Sequence, residues 1–205
     1  RCCTQRFSSY VNKSYIVENV TSLRALMHSL KRKNINFCNI ITLGVDLKKL
    51  KYKTSKKETK FYKSQTPRRD NLEFENKDYL NQCIKTCTEE MMRSYDQNYA
   101  FKYIYTPLWE HRYKKDDFQE DHVHYKHHFS FVIYYKGDSS IMLKNPSGYL
   151  IQAMYPDFDQ HLATFEYEPC LKEGTMLMFP SYVAHYVQKS TNTISLVGDV
   201  YIDRA

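Results

Sequence analysis

The spacing of apolar residues predicts two helices in the first half of the chain. Apolar residues recur three and four positions apart in segments 21–33 and 77–95, as they do on one face of a helix. Thr21 or Ser22 can cap the first segment. The apolar positions are Leu23, Leu26, Met27 and Leu30 in the first segment, and Leu80, Ile84, Cys87, Met91 and Tyr95 in the second. Between them, the run 37–43 (FCNIITL), which ends at Gly44, predicts a strand.

After residue 99 the apolar positions alternate, which predicts strands. The strand-like segments are 99–106, 128–135, 139–144, 148–153, 163–168, 174–179, 185–190 and 193–202. Turn sequences such as Lys136-Gly137-Asp138 separate them. Many short strands at regular spacing indicate a β-sandwich or barrel. We therefore predict an α+β fold with three parts: an N-terminal extension over 1–20, a helical and basic part over 21–98 that packs on the barrel, and the barrel itself over 99–205.

The composition is that of a folded protein. Of the 205 residues, 42% are hydrophobic and 15% aromatic, whereas disordered chains contain few aromatic residues. The sequence contains no apolar run long enough for a transmembrane segment.

Positive charge is concentrated in the first half. The formal net charge is +7, with +10 on residues 1–99 and −3 on residues 100–205. The excess lies mainly in 47–63 (LKKLKYKTSKKETKFYK), followed by Arg68 and Arg69. Segment 47–69 could contact a polyanion such as RNA or an anionic lipid. The alternative is a solvated loop or an exposed hairpin, and the sequence favours it because no nucleic-acid-binding motif lies near the lysines.

The six cysteines and the N-terminus give hints about the compartment. No two cysteines form a C-x-x-C pair, so a zinc site is poorly supported, and Cys83 and Cys87 share a helix face on which small buried side chains are expected. This usage is typical of a reducing compartment. Segment 1–10 (RCCTQRFSSY) is rich in Arg and Ser and has no acidic residue, as at the end of a mitochondrial transit peptide. We expect a mitochondrial protein, or otherwise a cytoplasmic one.

Four of the eight histidines fall in the stretch DHVHYKHH. His122 and His124 are two apart at the expected entrance of a strand, where both would face the same side. His185 begins a later strand and can supply a third imidazole. We expect the three rings to converge within about 4 Å of a common point, because metal–imidazole bonds are near 2 Å. Such a set suits iron, zinc, copper or nickel. The alternative is a surface histidine patch with His185 in the core.

The stretch WEHRYKKDDFQEDHVHYKHHFSFVIYY resembles the 2-oxoglutarate/Fe(II) oxygenases of phages and bacteria. Trp109 precedes His122 by thirteen residues, and Glu173-Gly174-Thr175, Met178-Phe179-Pro180-Ser181 and His185 follow in the order of that family's signature. The resemblance implies a double-stranded β-helix (jelly roll), here preceded by two helices and a short N-terminal strand region. It also implies Fe(II) and 2-oxoglutarate as cofactors and His122, His124 and His185 as metal ligands.

The sequence departs from the family at positions that concern its cofactors. His124 stands where these enzymes generally have Asp or Glu, which makes the expected site more electropositive. Thr193 stands where the family has the Arg that binds the far carboxylate of 2-oxoglutarate, so we expect weak 2-oxoglutarate binding. The residues left to bind the cofactor are Tyr134, Thr193 and Lys144, and the favoured alternative for Lys144 is a solvent-facing position at the end of a strand. Phe131 replaces a Gly of the family and is expected to narrow the pocket.

Three functions remain open at this point. The first is a non-haem iron dioxygenase or a close derivative of one. The second is a catalytically degenerate oxygenase fold that serves as an accessory subunit in a larger, mitochondrial assembly with unknown protein partners. The third is a different metal-dependent, cupin-like chemistry. The retained histidines favour the first function, and the absent Arg favours the second.

Overall fold

The computed structural model describes residues 30–35, 37–54, 59–60, 67–97, 100–137, 141–148, 150, 153, 165–188 and 192–204. The N-terminal extension and most of the first predicted helix lie outside these residues, as do Cys2, Cys3 and much of the lysine-rich segment. No helix of the described part is both long and apolar enough to span a membrane.

The described residues contain fifteen strands and one helix with defined bounds. In chain order they are β1 Lys31–Ile35, β2 Cys38–Gly44, β3 Tyr52–Lys53, β4 Thr59–Lys60, β5 Pro67–Arg69, β6 Glu73–Phe74, α1 Lys77–Ser94, β7 Phe101–Tyr105, β8 Trp109–Tyr113, β9 Gln119–His122, β10 Phe129–Lys136, β11 Ile141–Lys144, β12 Glu166–Tyr167, β13 Thr175–Pro180, β14 His185–Val187 and β15 Thr193–Arg204.

Two antiparallel sheets form the body of the molecule. The large sheet has the order β1-β2-β13-β10-β15-β8-β5-β4, with β7 also paired to β15, and the small sheet has the order β12-β11-β14-β9. Strands β3 and β6 form a separate ribbon. Apolar residues of the two sheets, such as Val132 and Leu143, share one hydrophobic core. The mostly β architecture with one helix is consistent with the jelly roll implied by the sequence resemblance.

Helix α1 covers the other face of the large sheet. Asn76 caps it by accepting the Tyr79 backbone N–H at 3.0 Å, as expected of an N-cap amide. Its buried face contains the predicted Leu80, Ile84, Cys87 and Met91, which pack with residues of β2, β10, β13 and β15. Because side chains alternate along each strand, one residue faces the helix and the next faces the small sheet.

The first of the two predicted helices is wrong where the structure describes it, at its end. Residues 31–33, assigned to the end of that helix, belong to β1, which pairs with β2 in the register Lys31↔Thr42. Pairing along the sheet edge satisfies the backbone there and overrides the apolar spacing.

Two further local predictions are corrected. Gly148, Leu150 and Ala153 are helical, although alternation predicted a strand over 148–153. The Asn145 side chain accepts the Ser147 N–H, and the Asn145 carbonyl accepts the Gly148 N–H, so this turn begins a helical segment. The histidine pair does not enter a strand either: His122 ends β9, and His124 follows it in a loop.

Candidate metal centre

His122 and His185 are brought together by strand pairing in the small sheet. They are direct partners in the antiparallel register of β9 and β14, so their side chains leave the same face of the sheet. Their ring centroids are 4.2 Å apart. The third histidine arrives from the loop after β9, where the His124 backbone N–H donates to the Ser181 carbonyl at 3.1 Å.

The three imidazoles converge, as the spacing predicted. One ligand nitrogen from each of His122, His124 and His185 lies within 4.8 Å of the other two. His185 is 4% exposed, and the other two rings are half-buried. The geometry is compatible with one ion contacting all three rings, and their role as metal ligands remains a prediction.

Hydrogen bonds at Nδ1 decide which nitrogen of two of these rings can bind a metal. His122 Nδ1 lies 2.7 Å from the Glu120 carbonyl oxygen, and His185 Nδ1 lies 3.1 Å from the Val183 carbonyl oxygen. A carbonyl only accepts, so Nδ1 carries the proton in each ring and Nε2 keeps its lone pair. The Gln119 amide nitrogen lies 3.3 Å from His122 Nε2, where it can donate to that lone pair.

Burial keeps these rings in the neutral form that a metal requires. Burial lowers the pKa of the His185 imidazole well below its usual range, and the imidazoles of His122 and His124 lower it further. Burial also lowers the pKa of His122, against the opposing effect of its hydrogen bond to the Glu120 carbonyl. Protons therefore compete weakly with a metal ion for these two rings near neutral pH.

A buried carboxylate lies behind the third ring. Asp199, on β15, is 4% exposed, and its Oδ1 lies 2.5 Å from His124 Nδ1. The same oxygen accepts the Ser130 hydroxyl at 2.7 Å, and its Oδ2 lies 3.8 Å from His127 Nδ1. An ionised carboxylate only accepts hydrogen bonds, so Asp199 holds the His124 proton on Nδ1 and leaves the Nε2 lone pair for a metal. Its negative charge then lies directly behind a predicted metal ligand.

The histidines lie on the wall of a cavity of about 510 Å³, within the usual range for small-molecule sites. Its apolar walls include Val132, Ile141, Val187 and Val197, which come from both sheets. Polar groups on its lining include Tyr113, Gln119, Tyr134, Ser195 and Asp199.

An arginine and the single tryptophan of the chain line the same cavity. The Arg68 guanidinium carbon lies 4.3 Å from the centroid of the Trp109 ring, and that ring stacks near His124 at 6.0 Å. The indole N–H donates to His111 Nε2 at 3.0 Å. Arg68 reaches the cavity because β5 pairs with β8 in the register Arg68↔His111.

Of the three residues predicted to bind a cofactor, only Tyr134 lines the cavity. Tyr134 is buried and lines the cavity. Lys144 and Thr193 are not part of the lining: Lys144 pairs with Asp121 at 2.8 Å, and Thr193 is fully buried at the start of β15. Phe131 does not narrow the cavity, because it belongs to the core beneath helix α1, on the opposite face of the large sheet.

Three residues of the cavity lining were not predicted to belong to this site: Arg68, His111 and Asp199. Asp199 could have been found as an acidic residue in the apolar run TISLVGDVYI, at the same parity as Ser195 and Val197, which face the cavity. His111 shares the parity of Trp109 and Tyr113 on β8 and lies opposite Ser195 of β15. Arg68 had no such signal, since only the pairing of β5 with β8 places it at the cavity.

A search of the curated proteins finds no match for this chain. Among solved structures, it is similar to an oxidoreductase of the 2OG-Fe(II) oxygenase family from Burkholderia pseudomallei, with 12% identity, 87% of this chain and 75% of that chain covered, and a TM-score of 0.40. It is also similar to a prolyl-4-hydroxylase from Pseudomonas putida, with 13% identity, coverage of 68% and 73%, and a TM-score of 0.47. A viral collagen prolyl hydroxylase from Paramecium bursaria Chlorella virus-1, solved with 2OG, has 15% identity, coverage of 70% and 81%, and a TM-score of 0.42.

The family comparison covers the part of the chain that contains the histidine pair and β10. Residues 107–196 match the family described as "Putative 2OG-Fe(II) oxygenase". This range includes His122, His124 and His185. The resemblance of this chain to the 2-oxoglutarate/Fe(II) oxygenase family is thereby confirmed.

Proposed function

We propose that this chain is a non-haem iron dioxygenase that uses 2-oxoglutarate, or a close derivative of such an enzyme. One observation carries the proposal: three imidazoles with nitrogens within 4.8 Å of one another lie on the wall of a 510 Å³ cavity. These three residues would hold an ion at the cavity wall, where a substrate in the cavity would reach it, as a catalytic iron site requires. The family match over residues 107–196 supports iron rather than another metal.

The donor set fits a divalent ion such as Fe(II). The Nε2 atoms of His122 and His185 carry the lone pairs because the Nδ1 atoms bind carbonyls, and His124 is oriented by Asp199. Outer hydrogen bonds of this kind fix ring orientation and raise ligand basicity. Three neutral imidazoles bring no negative charge to the ion, and the buried Asp199 carboxylate offsets part of that deficit.

Iron with 2-oxoglutarate and oxygen supplies oxidation of an unactivated C–H bond. The chain's own residues position the reactants and exclude water. Val132, Val187 and Val197 form an apolar wall beside the histidines. Tyr134, one of the residues predicted from the sequence to bind the cofactor, lies on the same wall. Tyr125, 80% exposed, lies at the cavity margin, where a substrate would enter.

Metal binding tests the proposal first. We expect the purified chain to bind one equivalent of Fe(II) under anaerobic conditions, measured by calorimetry and metal analysis, and His122→Ala or His185→Ala to abolish binding. His128→Ala is the matched control, because His128 is outside the cavity lining and its Nδ1 accepts the Ile202 N–H. Failure of the wild-type chain to bind Fe(II), or equal loss in the His128 variant, would contradict the assignment of this site.

A turnover assay then distinguishes an active enzyme from a catalytically degenerate oxygenase fold. An active dioxygenase should consume 2-oxoglutarate and oxygen in an iron-dependent reaction that His185→Ala abolishes. Iron binding with no 2-oxoglutarate consumption, in the presence or absence of candidate substrates, would favour the accessory role.

A further inference from the structure

The charges around the cavity are unevenly distributed. Among the described residues that line it, Arg68 carries the only permanent positive charge. The negative charges are Asp199, which accepts hydrogen bonds from His124 and Ser130, and Glu120 on an exposed position of β9. An anionic group in this cavity therefore has one guanidinium to bind.

The Arg68 guanidinium is held in place by contacts on two sides. Its Nε and one Nη atom each lie 2.7 Å from Asp70 Oδ1, and its planar group lies over the Trp109 ring. Its side chain is 24% exposed, so it is partly shielded from water. A guanidinium oriented in this way loses little conformational freedom when it binds a ligand.

The other candidate cations lie elsewhere. Lys144 pairs with Asp121 away from the cavity lining, and the family's usual Arg position is occupied by Thr193. Carboxylates are bound most strongly by planar, charged N–H donors. We propose that Arg68, from N-terminal strand β5, binds the second carboxylate of a 2-oxo dicarboxylate in this cavity. This inference rests on the proposed function.

Two ligands that differ only in that carboxylate provide the test. 2-Oxoglutarate and 2-oxopentanoate have the same carbon chain and the same 2-oxo acid group, and only the first has a carboxylate at the far end. Calorimetry on the anaerobic iron-loaded protein should show tighter binding of 2-oxoglutarate. Arg68→Gln should weaken 2-oxoglutarate about tenfold to a hundredfold and change 2-oxopentanoate by less than about twofold. Arg68→Lys should fall between the wild type and Arg68→Gln.

Lys144→Gln is the matched control, because Lys144 is the other cation that the sequence predicts to bind the cofactor. This variant should leave the affinities for 2-oxoglutarate and 2-oxopentanoate unchanged. Thermal unfolding checks the fold of each variant, and Arg68→Lys serves if Arg68→Gln does not fold. Trp109, the only tryptophan, gives a second readout of ligand binding by its fluorescence, independent of turnover.

The outcomes separate this inference from the proposed function. Equal weakening of both ligands in Arg68→Gln, no weakening of either, or selective loss in Lys144→Gln would overturn the role of Arg68 and leave the iron site standing. If the iron-loaded wild type binds neither 2-oxo acid, the 2-oxoglutarate function fails, and the role of Arg68 fails with it.

Discussion

His124 Nδ1 and an Asp199 carboxylate oxygen lie 2.5 Å apart, although the two residues are 75 positions apart in the chain. The contact joins the loop after β9 to the last strand of the large sheet. Enzymes of this family generally have a carboxylate at the second position of the short motif. In this chain that position is His124, and the Asp199 carboxylate lies behind its imidazole. The expectation of a more electropositive site stays a prediction, with an acidic side chain now placed in contact with His124.

Replacing Asp199 should weaken metal binding. An amide in Asp199→Asn keeps the shape but removes the negative charge behind His124, so we expect affinity for Fe(II) or Mn(II) to fall about 10- to 100-fold. Calorimetry measures the loss, and thermal unfolding reports whether the variant is folded. Asp121→Asn, which removes a surface partner of Lys144, is the control and should bind metal normally. Wild-type affinity in Asp199→Asn would limit Asp199 to a structural role.

Trp109 should report metal binding directly. Its ring centroid is 6.0 Å from that of His124, and an open-shell ion quenches indole fluorescence at short range. We expect Co(II) to quench the emission of the chain in a saturable manner, and His185→Ala to remove that response. Zn(II), which binds the same ligands but has a closed shell, should quench little. Quenching that persists unchanged in the histidine variant would place the ion elsewhere.

The local pattern predicts the elements that are long and strongly apolar. Helix α1 follows from apolar residues at helical spacing, and β10 and β13 are nearly continuous apolar runs next to turn residues. His185 was predicted because it begins a strand that alternation marks. The short strands of the basic segment had no such pattern.

What the sequence could not supply was long-range pairing. Strand β8 contains Glu110, which is fully buried. An acidic residue argues against a buried strand position unless the partners of its carboxylate are known. Those partners are Tyr52 and Arg112, with Arg69 at 3.7 Å. The pairing of β5 with β8 also places Arg68 at the cavity. Neither the burial of Glu110 nor the position of Arg68 can therefore be predicted from the local sequence pattern.

Cysteine reactivity should follow burial. Of the cysteines that the structure describes, only Cys170 is exposed. Burial raises the pKa of the Cys38 thiol to about 12 and that of Cys83 to about 11, so little reactive thiolate forms at either site near pH 8. We expect iodoacetamide at that pH to modify Cys170 far faster than Cys38, Cys83 or Cys87, as mapped by peptide mass spectrometry. Denaturant should abolish the difference, and equal rates in the native protein would contradict the described packing.

Phe131 and Gly198 should be coupled in stability. A Cβ added at Gly198 would lie 2.5 Å from the Phe131 Cζ atom, so Gly198→Ala forces the ring to move and should cost about 1–3 kcal/mol of unfolding free energy. Phe131→Ala removes a fully buried ring and should cost about 3–5 kcal/mol. In the double variant the added methyl group occupies part of the vacated volume. Its loss should therefore be smaller than the sum of the single losses by at least about 0.5 kcal/mol, measured by urea unfolding.

Phe131 and its neighbour Val132 together test which face of the large sheet Phe131 occupies. Because Phe131 packs beneath helix α1, removing its ring should lower stability without enlarging the cavity beside the histidines. Affinity of the folded Phe131→Ala variant for Fe(II) and 2-oxoglutarate should stay within about twofold of the wild type, since the variant leaves every group that lines the cavity in place. The position-matched comparison is Val132→Ala, the next residue of β10, which does line the cavity and should alter ligand affinity while costing less stability. Tighter 2-oxoglutarate binding in Phe131→Ala would show that the ring obstructs the cavity after all, as its place in the family pattern suggested.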